Sequence, residues 1–311
     1  MIERSDVEAA RVRISGRVRR TPLAEVDRGT FAGPTWLKLE YLQHTGTFKP
    51  RGAFNRILSA AEQGILDPAV GIVVASGGNA GLANAFAARA LGVAATVFVP
   101  TAAPSVKVEK LRSFGAEVVL HGAEYAAAYE AAIEYAGRSG AVYCHAYDQP
   151  EIAAGAGTLG LELLDQLDAD VDTVIVAVGG GGLMAGVAAA VEGSARVVGV
   201  EPVTIPTLRT ALAEGGPVDV SVSGVAVDSL GARRLGDIAY EVASRTQVRS
   251  LLVTDRDIVV ARRILWDQYR IVVEHGAATA FAALTSGAYV PGADERVVVV
   301  MCGANTSLGD L

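Results

Sequence analysis

The stretch Thr45–Ala53 contains the residue of this sequence that is best placed for covalent chemistry. Lys49 stands there between an aromatic residue and Pro50, three residues after Gly46. Gly46 allows backbone conformations that a Cβ would forbid, and Pro50 disfavours helical geometry at Lys49. Together they predict a lysine that is held in position at the N-terminus of a helix over Arg51–Ala61. A fixed amine forms Schiff bases with aldehydes, but a lone lysine is more often a solvated charge, so this interpretation depends on the accompanying motifs.

Two glycine-rich loops each follow an apolar run and precede a helical pattern. Ser76–Gly81 exposes backbone N–H groups at a predicted helix start, an arrangement that binds a carboxylate or a phosphate. Asn79 in this loop could donate to a phenolic or carboxyl oxygen, or could simply cap the helix after a tight turn. Gly179–Gly182, followed by Leu183, has more glycines than a turn needs, which favours a phosphate site formed by successive amides.

The second loop also permits a different prediction. Gly180, Gly182 and Ala185 fit the spacing of a dinucleotide-binding fingerprint, and Glu201 follows where a ribose-binding acid belongs. A nicotinamide-dependent dehydrogenase is therefore an alternative. It leaves Lys49 and the first glycine loop without a function.

The last apolar run, Arg296–Met301, leads into Cys302 and Gly303, at the end of a strand where α/β sheets place ligands. A lone cysteine is more often a small buried side chain, and no histidine or aspartate stands near Cys302 in the sequence to activate it. The four histidines lack metal-ligand spacing and are predicted to be structural or solvated: His44, His121, His145 and His275.

Composition and charge exclude several classes of protein. The chain has 311 residues, 51% of them hydrophobic and 20% charged, which predicts a large core rather than disorder. The net charge of −7 argues against nucleic acid as a partner, and two cysteines provide neither a disulfide framework nor a zinc site. No secretory signal is visible, and glycines interrupt the uncharged run Val174–Val191, so we expect no membrane span and a cytoplasmic protein.

Short runs of β-branched residues alternate with longer Ala/Leu-rich periodic segments, which predicts parallel sheets whose strands are buried on both faces. Thr254–Asp257 has the spacing of a helix N-terminal cap. The predicted strands are Gly71–Ala75, Ala94–Val99, Glu117–Leu120, Ala141–His145, Thr173–Val178, Arg196–Val200 and Arg296–Met301. The other predicted helices are Asn79–Leu91, Pro104–Phe114, Ala123–Gly137, Ile152–Leu167, Leu183–Val191, Asp255–Arg270 and Ala277–Ala288.

With these motifs the chain resembles the pyridoxal-phosphate enzymes of the tryptophan-synthase-β type (fold type II), and among them the serine/threonine dehydratases. The resemblance runs from about Arg20 to Leu308. It implies an α/β fold of two lobes, each an open, mostly parallel sheet flanked by helices, with the cofactor in the cleft between them. The implied large lobe comprises residues 1–43 and 146–311, and the small mobile lobe residues 44–145. The motifs that match in order are Lys38–Glu40, Thr45–Ala53, Ser76–Asn79, Gly155–Thr158, Gly179–Gly182, Glu201–Pro202 and Cys302–Gly303.

The resemblance also implies an activity, the β-elimination of water from L-threonine or L-serine to the 2-oxo acid and ammonia, in a homodimer. Lys49 would form the Schiff base with pyridoxal 5'-phosphate and later move the Cα proton. The implied cofactor contacts are Phe48 against the pyridine ring, Asn79 on the phenolic oxygen, Cys302 at the pyridine nitrogen, and Gly179, Gly180, Gly181, Gly182 and Leu183 around the phosphate. The substrate carboxylate would be bound by the amides of Ser76, Gly77 and Ala80.

Three positions depart from the family pattern. Gly77 stands where many relatives carry a serine, which leaves racemisation without an obvious second base. Ala156 replaces a glutamine common in threonine dehydratases, which loosens the substrate pocket and leaves the β-substituent open, an aryl or a carboxyl group included. Glu201 is followed by Ile205 and Thr207 rather than by a second acid, which suits a monovalent cation or none. A racemase or a β-replacement enzyme stays a near alternative.

Overall fold

Two mostly parallel sheets organise the chain in the computed structural model, which describes residues 2–307 and 309. Leu308, where the resemblance is expected to end, lies outside the described residues. The strands are β1 (Leu23–Glu25), β2 (Thr35–Lys38), β3 (Ile72–Ala75), β4 (Ala95–Val99), β5 (Glu117–Leu120), β6 (Val142–Tyr143), β7 (Thr173–Ala177), β8 (Arg196–Pro202), β9 (Arg249–Val253) and β10 (Val297–Val300). The helices are α1 (Arg4–Arg13), α2 (Pro50–Glu62), α3 (Asn79–Leu91), α4 (Ser105–Ser113), α5 (Tyr125–Ser139), α6 (Pro150–Gln166), α7 (Gly182–Val191), α8 (Thr207–Glu214), α9 (Val227–Leu230), α10 (Asp237–Arg245), α11 (Asp255–Tyr269) and α12 (His275–Thr285).

The larger sheet has the strand order β1-β2-β10-β7-β8-β9, and the smaller sheet has the order β5-β4-β3-β6. β1 pairs antiparallel with β2, whereas the other pairs of described strands are parallel. In β10, an interior strand, every valine of Val297–Val300 is buried, as expected where helices cover a parallel sheet. The predicted fold class, an α/β protein with two mostly parallel sheets, is confirmed.

The two sheets draw on different parts of the chain. The strands of the smaller sheet lie between Ile72 and Tyr143, inside the segment 44–145 that the resemblance assigns to the small lobe. The larger sheet takes β1 and β2 from before this segment and its other strands from after it. The residue boundaries of the two lobes stay a prediction.

Most predicted elements lie within a few residues of their expected bounds, and α3 covers the predicted Asn79–Leu91. The predicted cap at Thr254 is confirmed, because its Oγ1 accepts from the Asp257 amide and its own amide donates to the Asp257 carboxylate. The sequence patterns do not predict α1, α8, α9, α10, β1, β2 or β9. Of these, β1 has only three residues and β9 is only partly buried, so neither contains a continuous apolar run.

The uncharged run Val174–Val191 forms β7, a glycine turn and α7, as expected. Helix α7 is buried along its whole length against α6. A Cβ at Gly186 would lie 2.1 Å from the carbonyl oxygen of Ala153, so this close approach of α6 and α7 requires glycine. Within residues 2–307 and 309, no helix is both long and apolar enough to cross a bilayer.

A buried charge cluster of Lys38, Glu40, Arg51 and Glu162 fixes the first turn of α2. Arg51 donates to the two carboxylate oxygens of Glu40 at 2.9 and 2.7 Å and to Glu162 at 3.0 Å. Lys38 Nζ donates to the same Glu162 carboxylate at 2.6 Å. The Lys38, Glu40 and Arg51 side chains are at most 1% exposed, so the two cations depend on the two carboxylates for compensation. The cluster thereby ties α2 to α6 and to the end of β2.

We expect Glu40→Gln to lower the free energy of unfolding by about 3 kcal/mol, because it leaves a buried cation without its compensating charge. Urea unfolding followed by circular dichroism measures this change. The matched control is Asp165→Asn, which removes the exposed ion pair with Arg11 and should cost less than about 0.5 kcal/mol. Equal effects of the two substitutions would contradict the assigned role of the cluster.

Candidate active site

The candidate site lies in the cleft between the sheets, where strands end and helices begin. Thr47 forms an isolated β-bridge with Gly303, just after β10. Asn79, at the start of α3, donates to Glu274, which precedes α12. Lys49 directly precedes α2. The carboxyl ends of parallel strands are where α/β proteins bind ligands, so this meeting point is the candidate functional site.

The backbone at Lys49 differs from the sequence-based expectation. Lys49 is the N-cap residue of α2 with φ −54° and ψ −33°, so the prediction that Pro50 keeps it out of helical geometry is wrong. Contacts on both sides override that local preference. The Phe48 amide donates to the Cys302 carbonyl at 3.1 Å, and Arg51 is held in the buried charge cluster. The expected turn before them is present, since Gly46 has φ 78°.

The Lys49 side chain reaches into the cleft. Its Nζ donates to the carbonyl oxygen of Ala146 at 2.7 Å and lies 4.9 Å from the centre of the Phe48 ring. Burial lowers the pKa of Lys49 to about 8, while the nearby Glu274 carboxylate acts in the opposite direction. A substantial fraction of this amine is therefore neutral near pH 8, and the neutral amine is the form that attacks a carbonyl carbon.

The predicted phosphate loop, Gly179–Gly182, connects β7 to α7. A Cβ at Gly180 would lie 2.4 Å from the Tyr147 ring, and one at Gly182 would lie 2.5 Å from the Tyr147 carbonyl oxygen. Gly181 has φ +86°, a conformation that favours glycine. The N–H groups of Gly180, Gly181 and Gly182 donate to no protein acceptor in the described part of the chain. They can therefore bind an anion at the N-terminus of α7.

Asn79 is oriented by its neighbours. It is the first residue of α3, whose N-cap is Gly78 without a side-chain bond, so the alternative that Asn79 caps this helix is wrong. The Asn79 Oδ1 accepts from Asn305 Nδ2 at 2.8 Å. The Asn79 Nδ2 is therefore the donor that faces Glu274, at 3.1 Å from each carboxylate oxygen. This orientation leaves the amide ready to donate to an oxygen of a bound ligand.

The rest of this loop, Ser76–Ala80, stands at the carboxyl end of β3. Ser76 Oγ accepts from the Gly78 amide at 3.3 Å, and Ala80 is buried in the first turn of α3. A Cβ at Gly77 would lie 3.4 Å from Val99, an ordinary contact distance. Glycine is therefore not required at position 77 by packing, although it exposes the amide.

Glu274 belongs to the site, and the sequence reasoning missed it. Its carboxylate accepts from the Asn79 side-chain amide. It also lies close to Gly303, since a Cβ at position 303 would be 2.6 Å from the Glu274 Oε1. Burial raises the pKa of Glu274 to about 7, although the hydrogen bond from Asn79 acts in the opposite direction. A signal for it exists in the sequence, because an acid that follows Ile271–Val273 and precedes the small residues of α12 is unusual.

Cys302 lies at the end of β10, where the sequence predicted it, and it is buried. Burial raises the pKa of its thiol, and the neighbouring Glu274 charge adds to this shift. The thiol therefore stays neutral at physiological pH. A ring nitrogen beside it would meet a neutral side chain rather than a carboxylate.

Glu201 accepts hydrogen bonds from α8 and β9, which argues against the ribose-binding role predicted for it. Its carboxylate accepts from the amides of Leu208 and Arg209 at 2.6 and 2.9 Å, and also from the hydroxyls of Thr207 and Ser250. The Glu201 carboxylate thus compensates the partial positive charge at the N-terminus of α8. Both of its oxygens already accept two hydrogen bonds each and are not free to bind a ribose. The dinucleotide interpretation of Gly180, Gly182 and Glu201 is therefore wrong.

The cation site predicted at Glu201, Ile205 and Thr207 stays a prediction. The Thr207 hydroxyl also contacts the Gly179 carbonyl at 2.6 Å, which links α8 to the glycine loop. Ile205, which lies between Glu201 and Thr207 in the sequence, is buried. Over the residues that the structure describes, no group of three or more His, Cys, Asp or Glu side chains could hold a metal ion.

The residues in the cleft fit a cofactor that carries an aldehyde, an aromatic ring and a phosphate. Lys49 offers a buried amine of lowered pKa, and Phe48 offers a ring beside it. Among residues 2–307 and 309, the Gly180–Gly182 amides have no protein acceptor, and Leu183 continues that loop into α7. Asn79 offers an oriented donor. The role of each individual residue stays a prediction.

Comparisons with known proteins give a consistent result. Residues 14–303 match a family model described as pyridoxal-phosphate dependent enzyme. The chain is 34% identical to an L-threonine ammonia-lyase of Thermotoga maritima, over 98% of this chain and 76% of that protein. It is 36% identical to a phenylserine dehydratase of Ralstonia pickettii, over 97% of this chain and 93% of that protein. The solved structure of a serine racemase from Dictyostelium discoideum is similar with a TM-score of 0.90 and 29% identity, over 99% of both chains.

The lowered pKa of Lys49 predicts the pH dependence of its reaction with an aldehyde. In cofactor-free protein, the rate at which added pyridoxal phosphate forms its yellow adduct should rise with pH through a midpoint of about 8, because only the neutral amine reacts. Stopped-flow absorbance measures this rate. Glu274→Gln should move the midpoint lower, since its carboxylate stabilises the ammonium form. Lys49→Ala is the control without a yellow band. A midpoint of about 10.4, the value of an exposed lysine, would contradict the proposed environment.

Proposed function

The chain belongs to the family of pyridoxal-phosphate-dependent enzymes, and on that basis we propose that it is an ammonia-lyase acting on L-threonine or L-serine. It would remove water across the Cα–Cβ bond, and the resulting enamine would hydrolyse to the 2-oxo acid and ammonia. One observation carries this proposal. A buried amine of lowered pKa stands between an amide-rich loop suited to a phosphate and another suited to a carboxylate.

The cofactor would be held by residues from both lobes: Phe48, Lys49, Asn79, Gly179–Leu183 and Cys302. When bound, pyridoxal phosphate supplies an aldehyde carbon and a conjugated ring that withdraws electrons from the substrate Cα. The protein has to bind the phosphate, orient the ring and keep a base beside Cα. The amides at the start of α7 are suited to binding the phosphate. The Asn79 amide is suited to orienting the ring, and the Lys49 amine to acting as the base.

The substrate carboxylate would be bound by the amides of Ser76, Gly77 and Ala80 at the start of α3, where the helix dipole favours an anion. Binding there would draw the small lobe toward Lys49 and exclude water. Lys49 then removes the Cα proton as a neutral amine. With a pKa of about 8, roughly a tenth of it is neutral at pH 7, against roughly 0.04% for an exposed lysine. Burial thus makes Lys49 an effective base.

The neutral thiol of Cys302 favours β-elimination over reactions that need a long-lived carbanion. A carboxylate at this position would keep a ring nitrogen protonated and would stabilise a carbanion for longer, whereas a neutral thiol gives less stabilisation. Prompt loss of a β-hydroxyl suits that environment. A homodimer and a cytoplasmic location are further proposals that rest on the family resemblance, and sedimentation of the purified protein tests the first.

Purified protein supplied with pyridoxal phosphate should release 2-oxobutanoate and ammonia in equal amounts from L-threonine. Lys49→Ala should lower kcat at least about 10³-fold, because it removes both the covalent anchor and the base. A coupled keto-acid assay measures the rate, and borohydride reduction followed by peptide mapping should locate the cofactor on Lys49. Full turnover by Lys49→Ala would overturn the mechanism, and a new β-substituted amino acid as the main product would indicate β-replacement.

Position 77 decides between elimination and racemisation. The resemblance implies that this residue faces the side of the substrate opposite Lys49, and a Cβ at position 77 would meet Val99 only at an ordinary contact distance of 3.4 Å. Gly77→Ser should therefore raise D-serine formation from L-serine at least about tenfold over wild type, because it adds a hydroxyl that can return a proton to that face. Chiral chromatography measures the product.

The control is Gly77→Ala, which has a similar size and no hydroxyl. It should change elimination to the same extent as Gly77→Ser without forming D-serine. D-serine produced at a high rate by the wild-type protein would instead support the racemase alternative.

A further inference from the structure

We infer that His145 is a positioning residue, whose imidazole fixes the peptide group that orients the Lys49 amine. This peptide group is the one between Ala146 and Tyr147. The role rests on the proposed function of Lys49 as nucleophile and base. The sequence patterns predicted only a structural or solvated histidine at position 145, so the contacts around it assign it a part in the site.

The peptide group between Ala146 and Tyr147 is hydrogen-bonded at both ends. Its carbonyl oxygen, on Ala146, accepts from Lys49 Nζ at 2.7 Å. Its N–H group, on Tyr147, donates to His145 Nδ1 at 3.1 Å. The amine and the imidazole are therefore joined through one planar unit, and hydrogen bonds in such a chain strengthen one another. A rotation of this peptide group would break both contacts at once.

The same nitrogen of His145 accepts a second backbone amide, that of Asp148, at 2.8 Å. Two amides that point at one ring atom require a nitrogen with a free lone pair. His145 is therefore neutral and carries its hydrogen on Nε2. Burial lowers the pKa of His145, an effect that the Asp148 carboxylate opposes and the Lys49 charge reinforces. The neutral imidazole is thus the form present at physiological pH.

Contacts on several sides hold the imidazole in place. The Gln149 side-chain oxygen accepts from the His145 amide at 2.9 Å, and the Gln149 side-chain nitrogen donates to the Tyr143 carbonyl at 3.2 Å. The imidazole packs edge to face against the rings of Tyr129 and Tyr147, with centres at 6.4 and 4.7 Å. The ring therefore cannot turn away from the peptide group without losing these contacts.

The chain after His145 is anchored as well. The Asp148 carboxylate accepts from the amides of Asp237 and Ile238, at 3.1 Å each, at the start of α10. The predicted boundary between the two lobes falls between His145 and Ala146. The turn is thus held on both sides of that predicted boundary, and the carbonyl that accepts from the amine lies within it.

This arrangement directs the lone pair of the Lys49 amine. A neutral amine has two N–H groups and one lone pair, so an N–H group that donates to the Ala146 carbonyl turns the lone pair away from that carbonyl. The lone pair is what attacks a carbonyl carbon or takes up a proton. Without a fixed acceptor the amine would sample several orientations, and only some of them would be reactive.

The test compares His145→Leu with His145→Asn in cofactor-free protein. Leucine leaves both amides without an acceptor, whereas the asparagine Oδ1 takes the place of Nδ1 and can accept from the amide two residues on. We expect His145→Leu to lower the rate at which added pyridoxal phosphate forms its yellow adduct at pH 8 by about tenfold, and His145→Asn to restore it to within about threefold of wild type. Stopped-flow absorbance measures these rates. The control is His121→Leu, which replaces an exposed histidine and should match wild type.

The pH dependence gives a readout that a merely structural role would not move. The acceptor at Nδ1 is present above the pKa of His145 and is lost as the pH falls through it, below the ordinary value of 6.5. There the wild-type rate should fall about tenfold further than protonation of the amine alone requires. His145→Asn does not titrate and should lack this second fall, although the added aldehyde is the same. The other titratable groups that face His145 are Tyr129 on α5, Tyr143 on β6, the adjacent Tyr147 and Asp148, and Lys49.

The outcomes separate this role from the proposed function. Equal losses of rate in His145→Leu and His145→Asn, or a wild-type profile without the second fall, would overturn the positioning role and leave ammonia-lyase activity intact. Absence of keto acid from L-threonine and L-serine in a yellow, folded holoenzyme would overturn the proposed function itself. Thermal unfolding checks that the variants are folded, and the pH profiles of wild type and His145→Asn decide the matter if His145→Leu is not.

Discussion

The site depends on one arrangement of buried charge. Arg51 stands two residues after Lys49, and its guanidinium is fixed by Glu40 and Glu162, out of contact with water. The first turn of α2 therefore cannot shift without separating these charges, at a cost of several kcal/mol. On the other side, the amide of Phe48 is held by the Cys302 carbonyl. Lys49 is positioned from both directions, which allows a buried amine of lowered pKa to keep one geometry.

Polar contacts join the two lobes around this fixed point. Lys110 on α4 donates to Asn305 at 2.9 Å, and Asn305 in turn donates to Asn79 at 2.8 Å. Lys107 on the same helix pairs with Asp228 in α9. These links involve exposed lysines, whose individual contributions are small. They therefore hold the small lobe less firmly than the buried charge cluster holds the first turn of α2. The two sets of contacts differ in how deeply their charges are buried.

The sequence predicted the parts of the site that depend on local stereochemistry. The Lys49 helix start, the Gly179–Gly182 loop and the Thr254 cap each follow from residues adjacent in the chain, and each occurs near its expected place. Two local predictions failed, the non-helical backbone at Lys49 and the capping role of Asn79. The other failures concern contacts across the fold. Glu274 is brought to Asn79 over 195 positions of chain, and Glu201 is turned onto α8 by the packing of that helix. The sequence around Glu274 indicates an unusual acid among apolar and small residues, but the partner of neither carboxylate has a local signature, because partners are set only when the sheets assemble.

The small sheet carries both the Ser76–Ala80 loop and the residues that follow β6 on neighbouring strands, whereas Lys49 lies at the start of α2 and is fixed by contacts to the larger lobe. A substrate bound as proposed would thus contact both parts, with its carboxylate at the small sheet and its Cα at Lys49. A molecule without that carboxylate would lose the contact to the small sheet, so we expect it to bind without bringing the two parts together.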